Sequence, residues 1–195
     1  MEVGGKVATA SKDALTAFKM FASNPVPGLS TTYESLGTAR ALGVGIVFGA
    51  AFTVCLLIGV YRFLPEWTRP QGVGGFLKTV FVAVVPFVSL FGASLLVRTV
   101  FRGQGSLGSD SFIAGAALIP FAVVALVVAI LGAGNIEVVA IVALVAVCVT
   151  ILMLFAGLTR INKVSERAAT LAVPLMVMAS GWFSKVIYTA MVRQM

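Results

Sequence analysis

The side chains that could carry chemistry are few. Histidine is absent from the 195 residues, which removes the commonest general base and metal ligand and the usual axial ligand of haem. Cys55 and Cys148 each fall near the middle of an apolar run with no Cys or His nearby. Neither a disulfide framework nor a metal site is expected of them, and both read as small buried hydrophobes. Ser89, Ser94, Thr150 and Ser180 place hydroxyls inside apolar runs. A nucleophile there needs an adjacent base, and none stands beside them in the sequence. Within a membrane such hydroxyls usually hydrogen-bond to backbone or pack helices together. Acidic residues do not occur deep in any run: Glu137 sits at a helix start, where a carboxylate suits the dipole. Lys185 is the deepest charge, and its stem is long enough to snorkel to an interface. The expectation is a protein with no catalytic residues, no cofactor and no metal, and hence no enzyme.

The elements that must position these groups are membrane helices. With 59% hydrophobic residues, 11% charged residues and a mean hydropathy of +1.07, the chain lies far from soluble proteins, where roughly 25% of residues are charged. Apolar runs of about 20 residues cross a bilayer as helix. Five occur, at about 41–61, 79–97, 112–131, 138–158 and 171–190. They are continuously apolar, without the alternation of a membrane β-barrel. The fold class expected is an all-α integral membrane protein, with a region at 1–40 carrying a cytoplasmic amphipathic helix and a five-helix domain at 41–195. The net charge of +7 does not suggest nucleic acid, because the basic residues are spread over the ends and loops of spans.

Ser11 can cap a helix on which Leu15, Phe18 and Ala22 share a face that Phe21 extends, with Lys12 and Lys19 elsewhere on the wheel. Such a helix suits a lipid surface. Asn24, Pro25 and Pro27 end it, and the Thr31 to Glu34 spacing suggests a capping box for the next. In the first span Ala41, Gly45, Gly49 and Thr53 recur every fourth residue, a ridge of small side chains on which another helix can approach closely. Pro86, Pro120 and Pro174 are expected to kink the second, third and fifth spans. The glycine- and serine-rich link 102–110 reads as flexible. Asn135 and Ser165 read as caps of the helices that follow them.

Positive residues are retained on the cytoplasmic side. With the N-terminus inside, that side holds Lys6, Lys12, Lys19, Arg40, Arg98, Arg102, Arg160, Lys163 and Arg167; the other holds Arg62, Arg69, Lys78 and Arg193. The expected location is the cell (inner) membrane, multi-pass, with the N-terminus cytoplasmic and the C-terminus outside. Trp67 and Tyr188 then lie near the outer interface, and the first span acts as its own insertion signal.

The order KDALTAFKMFASNPVPGL, then YESLGTARALGVGIVFG, then five spans resembles bacterial members of the Yip family of Ypt-interacting membrane proteins. The resemblance implies a cytoplasmic N-terminal region, five helices and a C-terminus across the membrane. Eukaryotic members carry an acidic, leucine, glycine and proline motif before the first span; NPVPGL lies in a comparable place here without the acidic residue, and no cysteines of a zinc ribbon precede it. The function expected is non-enzymatic: a scaffold or accessory subunit of a membrane complex, or a membrane-organising protein. Its partners would be the lipid bilayer and other membrane subunits or a second copy. The alternative is a transporter or channel for a small solute or lipid.

Overall fold

A computed structural model describes residues 2–63 and 72–192. Trp67, with the rest of 64–71, and Arg193 lie outside the described residues. The order is α1 (Glu2–Ser23), α2 (Pro27–Phe63), α3 (Gly72–Val100), α4 (Leu107–Leu131), a 3-10 turn (Gly132–Asn135), α5 (Ile136–Ala156), a π-turn (Gly157–Ile161) and α6 (Glu166–Val192). Five helices are long and apolar enough to cross a membrane: Pro27–Phe63, Gly72–Val100, Leu107–Leu131, Ile136–Ile161 and Glu166–Met191. The described residues are helical throughout their elements, with no strand among them, and the chain reads as a multi-pass membrane protein.

The centre is the pair α2 and α4. Ala41, Val44, Phe48 and Phe52 of α2 are buried against Phe112, Ile113, Ala116 and Ala117 of α4. α5 packs on α4, and α3 packs on α4 and α6. Outward faces stay apolar, as Ile46, Phe81, Leu144 and Leu175 show. A helix apolar on every side belongs among other helices or in lipid.

Several helix starts differ from the sequence expectation. α1 begins at Glu2, so Ser11 lies inside that helix rather than capping it. α2 begins at Pro27, whose missing N–H costs nothing in a first turn. Thr31 therefore lies inside that helix, donating back to the Pro27 and Gly28 carbonyls rather than capping it. α4 begins at Leu107, several residues before the apolar run, because Ser106 and Ser109 form a reciprocal capping box. Asn135 makes no side-chain capping bond to α5; the 3-10 turn before it occupies that role. Ser165 does accept from the Ala168 N–H, at 3.4 Å.

Pro86, Pro120 and Pro174 each lie within a helix that continues past them. Within α2 the backbone leaves helical dihedrals at Gly37, with φ 69° and ψ 167°. Only glycine takes that conformation cheaply, and it divides a short helix after Pro27 from the first span.

Candidate functional site

The hydroxyls within the spans find structural partners. Thr150 donates to the Ala117 carbonyl at 2.7 Å and so joins α5 to α4. Ser89 of α3 and Ser180 of α6 share a hydrogen bond of 2.8 Å. Cys55 is half-buried, but Cys148 faces outward rather than into the core. It stands on the outward apolar face of α5 that Leu144, Val145 and Leu152 share, where a small apolar side chain is equally at home. Among the described residues no three of His, Cys, Asp and Glu converge on a point.

The most highly organised polar group is one the spacing of charges did not reveal. Asp110, in the first turn of α4, is fully buried. Its Oδ1 accepts from Ser94 Oγ and from Asn162 Nδ2, both at 2.8 Å. Its Oδ2 accepts from Arg98 Nε, also at 2.8 Å, in an ion pair whose arginine side chain is only 16% exposed. Ser109 Oγ completes the set by donating to Asn162 Oδ1 at 2.6 Å. Asn162 reaches in because α5 ends in a π-turn: its N–H donates to the Gly157 carbonyl at 3.0 Å, and its own carbonyl accepts from the Gln104 N–H at 2.8 Å. Such one-residue expansions re-aim side chains that a regular helix would send elsewhere.

The link 102–110 is therefore packed rather than flexible. The Gly103 N–H donates to the Arg98 carbonyl at 2.8 Å, and a Cβ at Gly105 would stand 1.9 Å from Asn162 Oδ1. Its glycines permit close approach; they do not loosen the chain. A carboxylate removed from water is tolerated when paired and hydrogen-bonded, and the donors to the Asp110 carboxylate come from α3 and from Asn162 at the end of the π-turn. The cluster is a junction that fixes three elements at one end of the bundle. A signal for it was present: Ser106, Ser109 and Asp110 have the spacing of a capped helix start with an acid in the first turn.

Ala41, Gly45, Gly49 and Thr53 are all buried, and their neighbours belong to this same chain. A Cβ at Gly45 would lie 2.4 Å from the carbonyl carbon and oxygen of Ser111, and one at Gly115 would lie 2.3 Å from the Gly45 carbonyl oxygen. α2 and α4 thus meet backbone to backbone. Gly49 faces the ring of Phe87 on α3, and Thr53 donates to the Gly49 carbonyl at 2.8 Å. The ridge is spent inside the bundle.

α1 folds back antiparallel to the start of α2. Ala10 stands beside Gly43, and the Thr32 hydroxyl lies 3.5 Å from the Met20 sulfur. Ala14 and Ala17 are buried in this contact. Two of the residues expected on an interfacial face point away from it: Leu15 is 58% exposed and Phe18 44%, and Lys12 and Lys19 are exposed beside them. The side chains of Phe21 and Ala22 lie outside the described residues. Arg40, Arg102, Arg160, Lys163 and Arg167 are exposed at the same end of the bundle.

Against known proteins the chain matches no family model, no curated protein and no solved structure.

Proposed function

We propose that the chain is a non-enzymatic, membrane-organising protein of the cell (inner) membrane, N-terminus cytoplasmic and C-terminus outside. Its spans would anchor α1 in the headgroup layer of the cytoplasmic leaflet. One observation carries the reading. α1 uses its small alanine face for the bundle and leaves its large apolar residues Leu15 and Phe18 outward, beside lysines. A soluble helix would bury the large residues and expose the small ones. The inverse arrangement suits a helix whose outward side meets acyl chains, with lysines among anionic headgroups. The exposed basic residues Arg40, Arg102, Arg160, Lys163 and Arg167 and the resemblance to the Yip family support the same reading. Association of a partner through the Gly45 ridge is not favoured, since α4 covers that face.

The experiment is a depth measurement on the full chain. A spin label at Phe18→Cys, in a cysteine-free background reconstituted into vesicles of neutral and anionic phospholipid, should collide with oxygen more than with a water-soluble relaxant. Thr16→Cys, on the exposed side chain nearby, gives the comparison. A Phe18 label as water-accessible as one in a soluble loop overturns the proposal.

A further inference from the structure

At the opposite end of the bundle from the Asp110 junction the packing is open. α6 packs on α3 and, less closely, on α5, but its backbone stands off α2 and α4. The space left between them is a cavity of about 530 Å³. Leu56 of α2, Leu118 and Phe121 of α4, Pro86 of α3 and Val177 of α6 line it, and Phe63 and Tyr188 stand at the helix ends that border it. The volume falls within the roughly 300–1,000 Å³ of small-molecule sites.

From this geometry we infer that the cavity is a binding site for one hydrocarbon chain of a membrane phospholipid, entering from the leaflet at the Phe63 and Tyr188 end. The wall decides the chemistry. Its hydroxyls are already committed: Thr150 to the Ala117 carbonyl at 2.7 Å, Ser180 to Ser89 at 2.8 Å and Ser184 to the Ser180 carbonyl at 2.7 Å. Apart from the Tyr188 phenol at the mouth, no hydroxyl proton of the wall is left to orient a polar solute, and a polar ligand drawn inside would forfeit its hydration without compensation. An apolar chain forfeits nothing. The location decides the source. All the lining helices are long and apolar enough to cross a membrane, so the medium beside the opening is itself hydrocarbon. Charge decides the class of lipid. Arg62 follows the lining residue Val60 by two positions and Lys185 follows the lining residue Ser184 by one, and both are exposed. They are placed to meet the phosphate of a headgroup at that interface.

Gly181 offers a clean way to block the site. It lines the cavity, and a Cβ there would meet nothing within 4 Å. The full-length protein in mild detergent would be given a phospholipid with a diazirine near the end of one chain, irradiated, and mapped by peptide mass spectrometry. Labelling should fall on Leu118, Phe121 and Val177, at about one lipid per chain, and unlabelled phospholipid should compete with it. Gly181→Phe, and independently Val177→Phe, should reduce that inward labelling at least tenfold while the unfolding temperature holds. Labelling confined to outward residues such as Leu175 and Met178, or undiminished in both blocked variants, overturns the inference. So does competition by free fatty acid alone, and so does inward labelling that is replaced by crosslinks between two copies of the chain.

Discussion

If α2 and α4 owe their contact to missing side chains, one methyl group should weaken it, and the weakening should depend on what that methyl meets. At Gly45 it meets backbone: Ser111 carbonyl carbon and oxygen at 2.4 Å and the Phe112 nitrogen at 2.6 Å. Backbone cannot rotate aside, so the helices must separate, and Gly45→Ala falls at the upper end of overpacking costs, about 3 kcal/mol. At Gly49 the methyl meets the Phe87 ring at 2.7 Å, a side chain that can turn, and the cost should be about 1 kcal/mol. At Gly92 nothing lies within 4 Å, so Gly92→Ala should cost nothing and gain up to about 1 kcal/mol of helix propensity. The expected order of stability is therefore Gly92→Ala, wild type, Gly49→Ala, Gly45→Ala. At roughly 2–4 °C per kcal/mol for a chain of this length, Gly45→Ala should melt about 10 °C below Gly92→Ala. Thermal unfolding of the purified protein in one detergent, followed by circular dichroism, reads the series, and Gly45→Leu should fail to fold. A Gly45→Ala protein as stable as Gly92→Ala would refute the close approach of the two helices.

Other positions give sharp outcomes. Asp110→Ala strands Arg98 and Asn162 without their acceptor and should destabilise by about 3–5 kcal/mol; in a double-mutant cycle with Arg98→Met the combined loss should fall short of the sum of the singles, and strict additivity would argue against the ion pair. Asn162→Asp sets a second carboxylate against Asp110 and should be less stable than Asn162→Leu in a denaturant titration; the reverse order would refute the geometry of the junction. The Oδ2 of Asp13 on α1 is buried without a hydrogen-bond partner, so Asp13→Ala should tighten α1 on α2 by about 1 kcal/mol, read as slower amide exchange across Ala14 and Ala17. For orientation, an impermeant thiol reagent should label Asn135→Cys from outside intact cells and Arg167→Cys only after the cells are opened; both residues are exposed, and labelling of Arg167→Cys from outside would reverse the topology.

The spans were legible because hydrocarbon imposes a length and a composition that any crossing helix must satisfy. The small-residue ridge was legible too, since a four-residue spacing of Ala41, Gly45, Gly49 and Thr53 allows no other use on a helix so apolar. Its partner was not. Nothing local to α2 says that Ser111 and Gly115, some 70 residues on, will supply the facing backbone. The junction was misread for a related reason. Glycine and serine in the link 102–110 carry the composition of a flexible chain, yet Gly105 is small so that Asn162 can lie against it. The π-turn that delivers Asn162 leaves no mark in the apolar pattern. Composition reports what a segment is free to do, and packing decides which of those freedoms is used.

The two ends of the bundle are consequently built on opposite terms. At the Asp110 end, charge, hydrogen bonds and backbone-to-backbone contact fix α3, α4 and the π-turn against one another, and such an end resists motion because every buried group would lose a partner. At the Phe63 and Tyr188 end, α6 is kept from α2 and α4 by apolar space alone. Its packing on α3 is reinforced by the Ser180 hydroxyl, which meets Ser89 at 2.8 Å and the Pro86 carbonyl at 3.5 Å, a link whose net worth is about 1 kcal/mol. Displacement of α6 should therefore pivot about the fixed end and open the other. Ser180→Ala should widen the separation of α2 and α6 at the Phe63 and Tyr188 end while leaving that at the Asp110 end unchanged. Paired spin labels at Arg62→Cys with Tyr188→Cys, and at Thr38→Cys with Arg167→Cys, measure the two distances, and equal broadening at both ends would dismiss the pivot.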